Sequence, residues 1–357
     1  MSRKLASVVR VAKVSDISNS DNLSVAEMED KGWRVVVSRG SLRAGDLAVY
    51  FEIDSALPVE DSRYGFLKQR CLKEFKRGNE VVLSTLRIKT VKLRGVISQG
   101  LLLPLSDFPE LSGCGVGADV SSILHIEHYD ELAAPFRHEH GVFVARSESR
   151  GEFPSFIPKT DEERIQNLVE YFETMKGKRF EVTSKDDGTS MTVYYAPSLH
   201  EEDPFRVCSR NQDLKRSNEN SLWKIANTYE LESKLKSLGR ELAFQGELVG
   251  PGVNGNRDLY KEHEWHVFRI WDIARACFLE ASERRALCAE LKIPHVPVIE
   301  EECPVFDRYR TLDELLSYAE GQTVHGHERE GLVFKEIGTE VPVTFKAVSN
   351  RYLLKIK

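Results

Sequence analysis

The chain has 357 residues, of which 41% are hydrophobic and 30% charged, and it carries a formal net charge of −6 at pH 7. These proportions are typical of a soluble globular protein, and the length favours two domains over one. The acidic balance argues against a protein that is basic over its whole surface, but it is compatible with local basic patches.

The first 120 residues have the pattern of short strands separated by turns. Apolar and β-branched residues cluster at 8–11, 33–37 and 46–53, and the last cluster follows a turn at Gly45. No long helical pattern interrupts them. The pattern therefore predicts a small β-barrel over residues 1–120.

Residues 85–100 combine strand-like alternation with positive charge. In an extended strand, Leu86, Ile88 and Thr90 fall on one face and basic residues fall on the other, before a change of phase adds further basic residues. Two interpretations stay open, a solvated strand face or a track for the phosphate backbone of a nucleic acid. The basic residues of this segment are Arg87, Lys89, Lys92 and Arg94.

Residues 121–160 are rich in His, Glu and Pro, which indicates a polar connector between two domains. His138 and His140 have a spacing that could chelate a metal ion. The flanking glutamates and the lack of a cysteine companion favour a polar linker instead.

The remaining residues, 161–357, predict a second domain in which helices and strands alternate. Thr160 and Glu163 form a capping-box pattern, which predicts a helix that ends near Gly177. Arg164 lies in the first turn of this predicted helix, where the N-terminus favours anions. Further helices are predicted at 219–238, 282–291 and 311–319, and strands at 191–195, 242–249, 266–273, 331–335 and 341–347.

The order of these elements predicts an α+β fold. The strands appear antiparallel and the helices are segregated from them, which differs from a doubly wound parallel sheet. We therefore expect a small N-terminal β-barrel, a connector, and a mixed α/β domain built on antiparallel sheets.

The six cysteines are scattered and have no Cys-x-x-Cys spacing, which predicts free thiols in a reducing compartment and no zinc site. No apolar run approaches the roughly 20 residues that a membrane span requires. The first residues also lack the apolar core of a secretory signal. We therefore expect an intracellular protein, cytoplasmic or nuclear, with no membrane association.

The stretch that ends in Lys185, Asp186, Asp187 and Gly188 holds the candidate nucleophile. A lysine amine can attack a phosphate, but a lysine beside two acids and a glycine is more often a salt-bridged surface residue at a turn. This short stretch alone does not decide between the two interpretations.

Five later segments follow this stretch in order along the chain, and they favour the interpretation of Lys185 as a nucleophile. Together with Lys185–Gly188 they resemble the covalent nucleotidyltransferase superfamily, which contains polynucleotide ligases and mRNA capping enzymes. The Arg-Asn and Phe-Lys pairs look most like ATP-dependent RNA ligases, and the predicted N-terminal barrel resembles the branch that carries an N-terminal OB domain. The segments are 208–211 (CSRN), 244–250 (FQGELVG), 267–272 (VFRIWD), 330–335 (EGLVFK) and 344–347 (TFKA).

The resemblance implies roles that agree with the charges of the residues. Lys185 would become the AMP carrier, and nearby cations and partial burial would lower its pKa from the usual value of about 10.4. Lys346 would assist from a strand face opposite Phe345. Asp186 acquires no role and is expected to be solvated, and Lys335 is given no chemistry because strand alternation points it away from Glu330.

Other positions supply the nucleotide and metal contacts. Phe268 is suited to stack on adenine and Val333 to cover its other face, and simple core packing is the alternative for both, more so for Val333. Gly188 would be a bend that lets the phosphate approach. Phosphate or ribose contacts are expected from Arg164, Arg210 and Lys346, and contacts to hydrated Mg²⁺ or a ribose hydroxyl from Asp187, Glu247 and Glu330. The predicted catalytic set is Lys185, Lys346, Glu247 and Glu330.

The implied function is ATP-dependent ligation of RNA ends that carry a 3′-hydroxyl and a 5′-phosphate, with Mg²⁺ or Mn²⁺ as cofactor and no obligate protein partner. A capping guanylyltransferase and a DNA ligase are alternatives, but both usually carry an OB domain after the last lysine motif. Only 11 residues follow Lys346 here. A non-catalytic OB-type nucleic-acid-binding protein is the alternative from another class.

Overall fold

A computed structural model describes residues 4–18, 20–77, 79–129, 132 and 148–355. The chain divides into two compact units. The first contains the described part of 1–137 together with Gln166–Tyr171, and the second contains the described part of 138–165 together with Phe172–Lys355. His138 and His140 lie outside the described residues.

The first unit is built on antiparallel sheets, and its N-terminal sheet curls into an OB-like half-barrel. The five-stranded sheet has the order β10-β4-β1-β2-β3, a four-stranded sheet has the order β11-β5-β7-β6, and β8 pairs with β9. The strands are β1 (Ala6–Asp16), β2 (Leu23–Met28), β3 (Lys31–Ser38), β4 (Leu47–Phe51), β5 (Ser55–Pro58), β6 (Leu72–Arg77), β7 (Glu80–Arg87), β8 (Thr90–Leu93), β9 (Val96–Gln99), β10 (Leu101–Pro104) and β11 (Glu127–His128). Short helical segments are α1 (Lys68–Cys71) and the 3-10 turns Ser62–Leu67, Leu105–Asp107 and Pro109–Leu111.

A polar bridge holds Gln166–Tyr171 in this first unit. The buried indole of Trp33 donates its Nε1–H to Asn167 Oδ1 at 2.6 Å. Asn167 Nδ2 in turn donates to Glu52 Oε1 at 3.2 Å. These bonds satisfy a buried donor on β3, and they attach a segment more than one hundred residues away in sequence to the barrel.

The predicted strands of the barrel are confirmed, since β1, β3 and β4 cover 8–11, 33–37 and most of 46–53. The structure adds β2 (Leu23–Met28), which the sequence did not indicate. Leu86, Ile88 and Thr90 are buried, as their shared face predicted.

The second unit contains two sheets. The seven-stranded sheet has the order β12-β17-β16-β15-β18-β19-β20, and the five-stranded sheet has the order β13-β23-β22-β14-β21. All pairs are antiparallel except β13 with β23. The strands are β12 (Ser149–Glu152), β13 (Glu163–Arg164), β14 (Phe180–Lys185), β15 (Thr189–Tyr195), β16 (Phe205–Cys208), β17 (Gln212–Leu214), β18 (Leu242–Val249), β19 (Glu264–Asp272), β20 (Cys277–Phe278), β21 (Val298–Cys303), β22 (Gly331–Glu336) and β23 (Thr344–Val348). The helices are α2 (Ser221–Thr228), α3 (Leu231–Ser237), α4 (Ala281–Glu290), α5 (Val305–Arg308), α6 (Leu312–Ala319) and α7 (Asn350–Lys355).

Aromatic packing separates the two faces of the five-stranded sheet. The rings of Phe334 and Phe345 stack with centroids 4.7 Å apart, and Phe180 lies 5.5 Å from Phe345. Phe306 of α5 covers the same face, 5.6 Å from Phe180. Because side chains alternate along strands, this apolar core sends the intervening residues of β14, β22 and β23 to the opposite face.

The helix predicted over 160–177 is wrong. Residues 163–164 form β13, which runs parallel to β23 with Arg164 opposite Lys346. The 3-10 turns Ile165–Asn167 and Val169–Tyr171 follow it. Pairing with a strand far along the chain outweighs the local capping pattern.

The helix predicted over 219–238 is divided into α2 and α3 at Glu230, which has a left-handed φ of 52°. Leu222 and Leu231 both belong to one buried cluster. Nine residues of a straight helix, at about 100° per residue, would place them on opposite sides. The break therefore lets both helices bury their apolar faces in one core.

The helices predicted at 282–291 and 311–319 are confirmed as α4 and α6. None of the helices in the described ranges is long and apolar enough to span a membrane. The six cysteines are free, as predicted.

We predict that Thr311→Ala destabilises the protein by about 1 kcal/mol, because Thr311 accepts the Glu314 N–H at 3.2 Å at the N-terminus of α6. Urea unfolding followed by circular dichroism measures the loss. Ser317→Ala in the same helix is the matched control, since this exposed hydroxyl only contacts the Asp313 carbonyl. Equal effects of the two changes would contradict the capping role.

Candidate active site

The loop Asp186–Gly188 crosses between the two sheets of the second unit. β14 belongs to the five-stranded sheet and ends at Lys185, whereas β15 belongs to the seven-stranded sheet and begins at Thr189. Within β14, Phe180 and Val182 are fully buried in the aromatic core. Lys185 therefore lies on the opposite face, at the end of the strand and at the junction of the sheets.

The Lys185 ammonium is surrounded by carboxylates. Its Nζ lies 2.8 Å from Glu330 Oε1. Burial lowers the pKa of Lys185, but Glu330, Glu247 and Asp187 outweigh burial, and the net pKa is raised above its usual value. This result differs from the expected lowered pKa, because the charges nearest to the amine here are negative.

The same arrangement perturbs the acids. Burial raises the pKa of Glu247 to about 8, Lys185 opposes this rise, and the charges of Glu330, Asp186 and Asp187 add to it. Burial likewise raises the pKa of Glu330, against the effect of Lys185. The site therefore places three carboxyl groups around one amine, and an additional cation would favour their ionised forms.

Gly188 is held against the strand that carries Glu247. Its N–H donates to Glu247 Oε1 at 3.2 Å. A Cβ at Gly188 would lie 2.2 Å from the carbonyl oxygen of Leu248. Close approach of the two backbones therefore requires glycine at this position, a reason independent of the predicted approach of a phosphate.

A second glycine lies directly opposite Lys185. Gly331 is its cross-strand partner between β14 and β22. A Cβ at Gly331 would lie 2.2 Å from the Ala347 carbonyl oxygen of β23. The glycine that follows Glu330 is thus required by the packing of three strands.

Asp187 is held from its far side. It accepts hydrogen bonds from Asn254 Nδ2 and from Arg257 Nη1. Arg257 also donates to the Tyr352 hydroxyl of α7 at 2.5 Å. Neither Asn254 nor Arg257 was predicted as a site residue, because no local pattern in the sequence links them to Asp187, about 70 positions earlier.

The predicted metal ligands do not form a closed cage. Within the described ranges, no three His, Cys, Asp or Glu side chains are arranged to hold a metal ion by themselves. Asp187, Glu247 and Glu330 nevertheless surround one amine, and the charges of Glu330 and Asp187 add to the rise that burial causes in the pKa of Glu247. This donor chemistry fits Mg²⁺, which usually keeps several waters and binds few carboxylates directly.

A second cationic group lies on β23 and its neighbours. Lys346 Nζ is 2.8 Å from Asp161 Oδ1, and Arg210 Nη2 is 3.5 Å from Asp161 Oδ2. Burial lowers the pKa of Lys346, Lys185 and Arg164 lower it further, and Asp161 opposes them. Asp161 thus joins two of the predicted phosphate contacts, Lys346 and Arg210, and the third, Arg164, is paired with Lys346 between β13 and β23.

Phe268 and Val333 are half-buried apolar residues, and the residues next to each of them along the strand are buried. Phe268 occupies a β-bulge in β19, where the register with β18 shifts, and it is less buried than residues 265–267 and 269–270. A bulge re-aims a side chain. Val333 lies opposite Lys346 in β23 and is less buried than Leu332 and Phe334.

Lys335 lies on the same sheet face as Lys185, at the far end of that face. In the ladder between β14 and β22 it lies opposite Glu181, just as Val333 lies opposite Thr183 and Gly331 opposite Lys185. Its buried Nζ donates to the Phe268 carbonyl at 3.1 Å and to Thr183 Oγ1 at 3.3 Å. Burial lowers the pKa of Lys335 well below its usual value. The side chain supports the bulge at Phe268, a contact that alternation relative to Glu330 did not indicate.

The expectation for Asp186 is wrong. Its side chain is 5% exposed, and its Oδ2 lies 2.7 Å from His266 Nδ1. Burial lowers the pKa of His266, but Asp186 and then Glu264 outweigh it and raise that pKa. His266 was not predicted as a site residue, because no local pattern in the sequence links it to Asp186, 80 positions earlier.

The four basic residues of the first unit have different environments. Arg87 Nη2 is 3.0 Å from Asp54 Oδ1, and the guanidinium lies 4.2 Å from the Tyr129 ring centroid. Lys89 is half-buried, whereas Lys92 and Arg94 are exposed. Of the four predicted contacts to RNA, Lys92 and Arg94 are therefore the ones that project into solvent.

Comparisons with known proteins identify the family of the chain. The family model "RNA ligase" matches residues 178–357, and an OB-fold domain model matches residues 5–105. No curated protein matches the chain. Among solved structures, Naegleria gruberi RNA ligase with PPi is 35% identical, with coverage of 99% of each chain and a TM-score of 0.86.

Two mutant structures of the same Naegleria ligase match over 99% of each chain with TM-scores of 0.86. A lysine-to-methionine mutant with AMP and Mn is 35% identical. A lysine-to-alanine mutant with ATP and Mn is 34% identical.

We predict that Gly188→Ala lowers the free energy of unfolding by about 1–3 kcal/mol, because the new methyl group overlaps the Leu248 carbonyl. Urea unfolding measures the change. Gly151→Ala is the matched control, since a Cβ there meets nothing within 4 Å. A Gly188→Ala variant as stable as the control would show that the two backbones do not approach as described.

Proposed function

The chain belongs to the RNA ligase family, as an ATP-dependent enzyme with an N-terminal OB-fold domain, and we propose that it seals RNA ends carrying a 3′-hydroxyl and a 5′-phosphate through AMP bound to Lys185. The observation that carries the proposal is the position of Lys185. It stands between the acids of two sheets, and Lys346 lies near it on the same face.

The first step forms a bond between Lys185 Nζ and the α-phosphorus of ATP. The unprotonated amine would attack, the bond from the α-phosphorus to the bridging oxygen would break and pyrophosphate would leave, while the nitrogen would give up one proton to water and keep one N–H in the phosphoramidate. Lys346 and Arg210 would neutralise phosphate oxygens as charge moves to the leaving group, because phosphoryl transfer depends mainly on positioning and charge stabilisation. Asp161, which joins these two cations here, would yield them to the nucleotide.

Lys185 must be unprotonated to attack, yet the surrounding carboxylates raise its pKa. Asp187, Glu247 and Glu330 would hold a divalent cation together with water, and the added positive charge would lower the pKa of the amine. The Naegleria structures with ATP or AMP contain Mn. ATP with Mg²⁺ or Mn²⁺ is therefore the expected requirement.

The base would lie between two half-buried side chains. Phe268 offers a ring face suited to adenine, and Val333 lies on the sheet face that carries Lys185. The AMP would then pass from Lys185 to the RNA 5′-phosphate, and the 3′-hydroxyl would displace it in the sealing step. Glu247 and Glu330 would remain close to the reacting phosphates in all three steps.

We predict that α-labelled ATP labels the wild-type protein and that Lys185→Ala and Lys185→Arg are not labelled. Arginine keeps the positive charge beside Glu330 but supplies no nucleophile. Denaturing gels after incubation with Mg²⁺ measure the label, and labelled GTP tests the capping alternative. Lys224→Ala, which changes an exposed lysine of α2, is expected to label normally.

A pre-adenylated RNA separates loss of chemistry from loss of fold. Its AMP is already attached to the 5′-phosphate, so Lys185→Ala is expected to seal it while failing to label itself. Label that persists in Lys185→Ala would refute the proposed carrier. A nicked duplex with DNA ends in place of RNA ends tests the DNA ligase alternative.

We also propose that the first unit contacts the RNA backbone through Lys92 and Arg94. Both side chains are exposed, on β8 and at the turn that follows it. Arg87 would contribute less, because Asp54 and Tyr129 already engage it. The non-catalytic alternative rests on this same surface, and adenylation of Lys185 would exclude it as the whole function.

We predict that Lys92→Ala combined with Arg94→Ala weakens RNA binding and lowers the slope of log K against log salt by about 2, roughly 1 for each lost phosphate contact. Fluorescence anisotropy at several salt concentrations measures both. The control combines Lys224→Ala with Lys236→Ala, which removes equal charge from exposed helix positions of the second unit. An unchanged slope would exclude this surface.

A further inference from the structure

The residue next to the proposed nucleophile is buried and bound to another strand. Asp186 Oδ2 lies 2.7 Å from His266 Nδ1, with 5% of the Asp186 side chain and 8% of the His266 side chain exposed. His266 Nε2 lies 3.2 Å from Glu264 Oε2. The reaction described above assigns no chemistry to this pair.

His266 also lies beside groups that the reaction does use. In the ladder between β18 and β19, His266 is directly opposite Glu247. Phe268 follows two residues later on the same strand. A hydrogen bond from His266 to Asp186 therefore connects the strand carrying the proposed adenine contact to the backbone that follows Lys185.

The environment of His266 fixes its orientation. Its ring packs edge-to-face against Tyr260, with centroids 5.7 Å apart. Asp186 Oδ2 lies within hydrogen-bond distance of Nδ1, and Glu264 Oε2 lies within hydrogen-bond distance of Nε2. A ring held by two acceptors and an aromatic contact has little freedom to turn, so Asp186 is held in one position.

Attack on a phosphorus atom requires the amine to lie in line with the leaving group at about 3–3.5 Å, and a displacement near 1 Å can cost about 10²-fold in rate. Glu330 holds the tip of the Lys185 side chain, its Nζ. The Asp186 side chain anchors the backbone at the base of that side chain. Loss of the anchor would leave the lysine present but poorly aimed.

We propose that His266 is a positioning residue for the adenylation step, which it serves by holding Asp186 and thereby the backbone of Lys185. The inference rests on the proposed function, since it concerns attack by Lys185. It differs from a contact to ATP, because no atom of His266 needs to touch the nucleotide.

Two substitutions at His266 separate the hydrogen bond from the space it fills. His266→Asn places an amide nitrogen near the position of Nδ1 and keeps a donor for Asp186. His266→Phe keeps a ring against Tyr260 but supplies no donor. Lys224→Ala, which changes an exposed lysine of α2 outside this cluster, is the control expected to react as the wild type.

The measurement is single-turnover labelling with α-labelled ATP over a range of ATP concentrations, which gives the rate constant of adenylation and the apparent Kd for ATP. We expect His266→Phe to lower the rate constant 10- to 100-fold and to change the Kd less than about threefold. His266→Asn is expected to restore most of the rate. Sealing of pre-adenylated RNA, which bypasses attack by Lys185, is expected to fall less than adenylation.

Each outcome is informative. No label on the wild type would refute the proposed function, independently of His266. Normal adenylation by His266→Phe, failure of His266→Asn to restore the rate, or an equal loss of adenylation and sealing with a lowered melting temperature would overturn the positioning role. A double-mutant cycle with Asp186→Ala must also be non-additive, because both changes remove the same bond.

Discussion

Four consecutive residues, Lys185 and the loop Asp186–Gly188 that follows it, are held by four different contacts. Lys185 pairs with Glu330, Asp186 with His266, Asp187 with Arg257, and the Gly188 N–H with Glu247. The loop is also where the chain crosses from one sheet of the second unit to the other. Since the partners come from β18, from β19, from the loop between these strands and from the residue before β22, the position of Lys185 depends on the correct packing of both sheets.

These contacts create an electrostatic conflict. The acids that locate Lys185 also raise its pKa, whereas nucleophilic attack requires the unprotonated amine. The conflict is resolved if positive charge arrives with the substrate, and Lys346, whose pKa burial lowers, already lies close by. In the proposed reaction this arrangement would link activation of the amine to occupation of the site, because the carboxylates favour the protonated lysine until positive charge is added.

Several features could be predicted because they depend on local pattern. The strands predicted at 242–249 and 331–335 and the helix predicted at 311–319 are present as β18, β22 and α6. The order of short motifs indicated the family without any knowledge of their contacts. The helix predicted from Thr160 failed because β13 pairs with β23, about 180 residues later, and no local signal competes with that pairing.

The sequence by itself determined which residue types are available, their order, and the family to which they belong. The tertiary structure alone decided that Asp186 is buried against His266, that Asp161 joins Lys346 to Arg210, and that Arg87 is engaged by Asp54. The physical reason is that charge and polarity are properties of a residue, whereas burial and hydrogen bonding depend on neighbours brought together from distant positions. From the sequence, Asp186 beside the proposed nucleophile is expected to be solvated, and only the folded structure shows that His266 of β19 covers it.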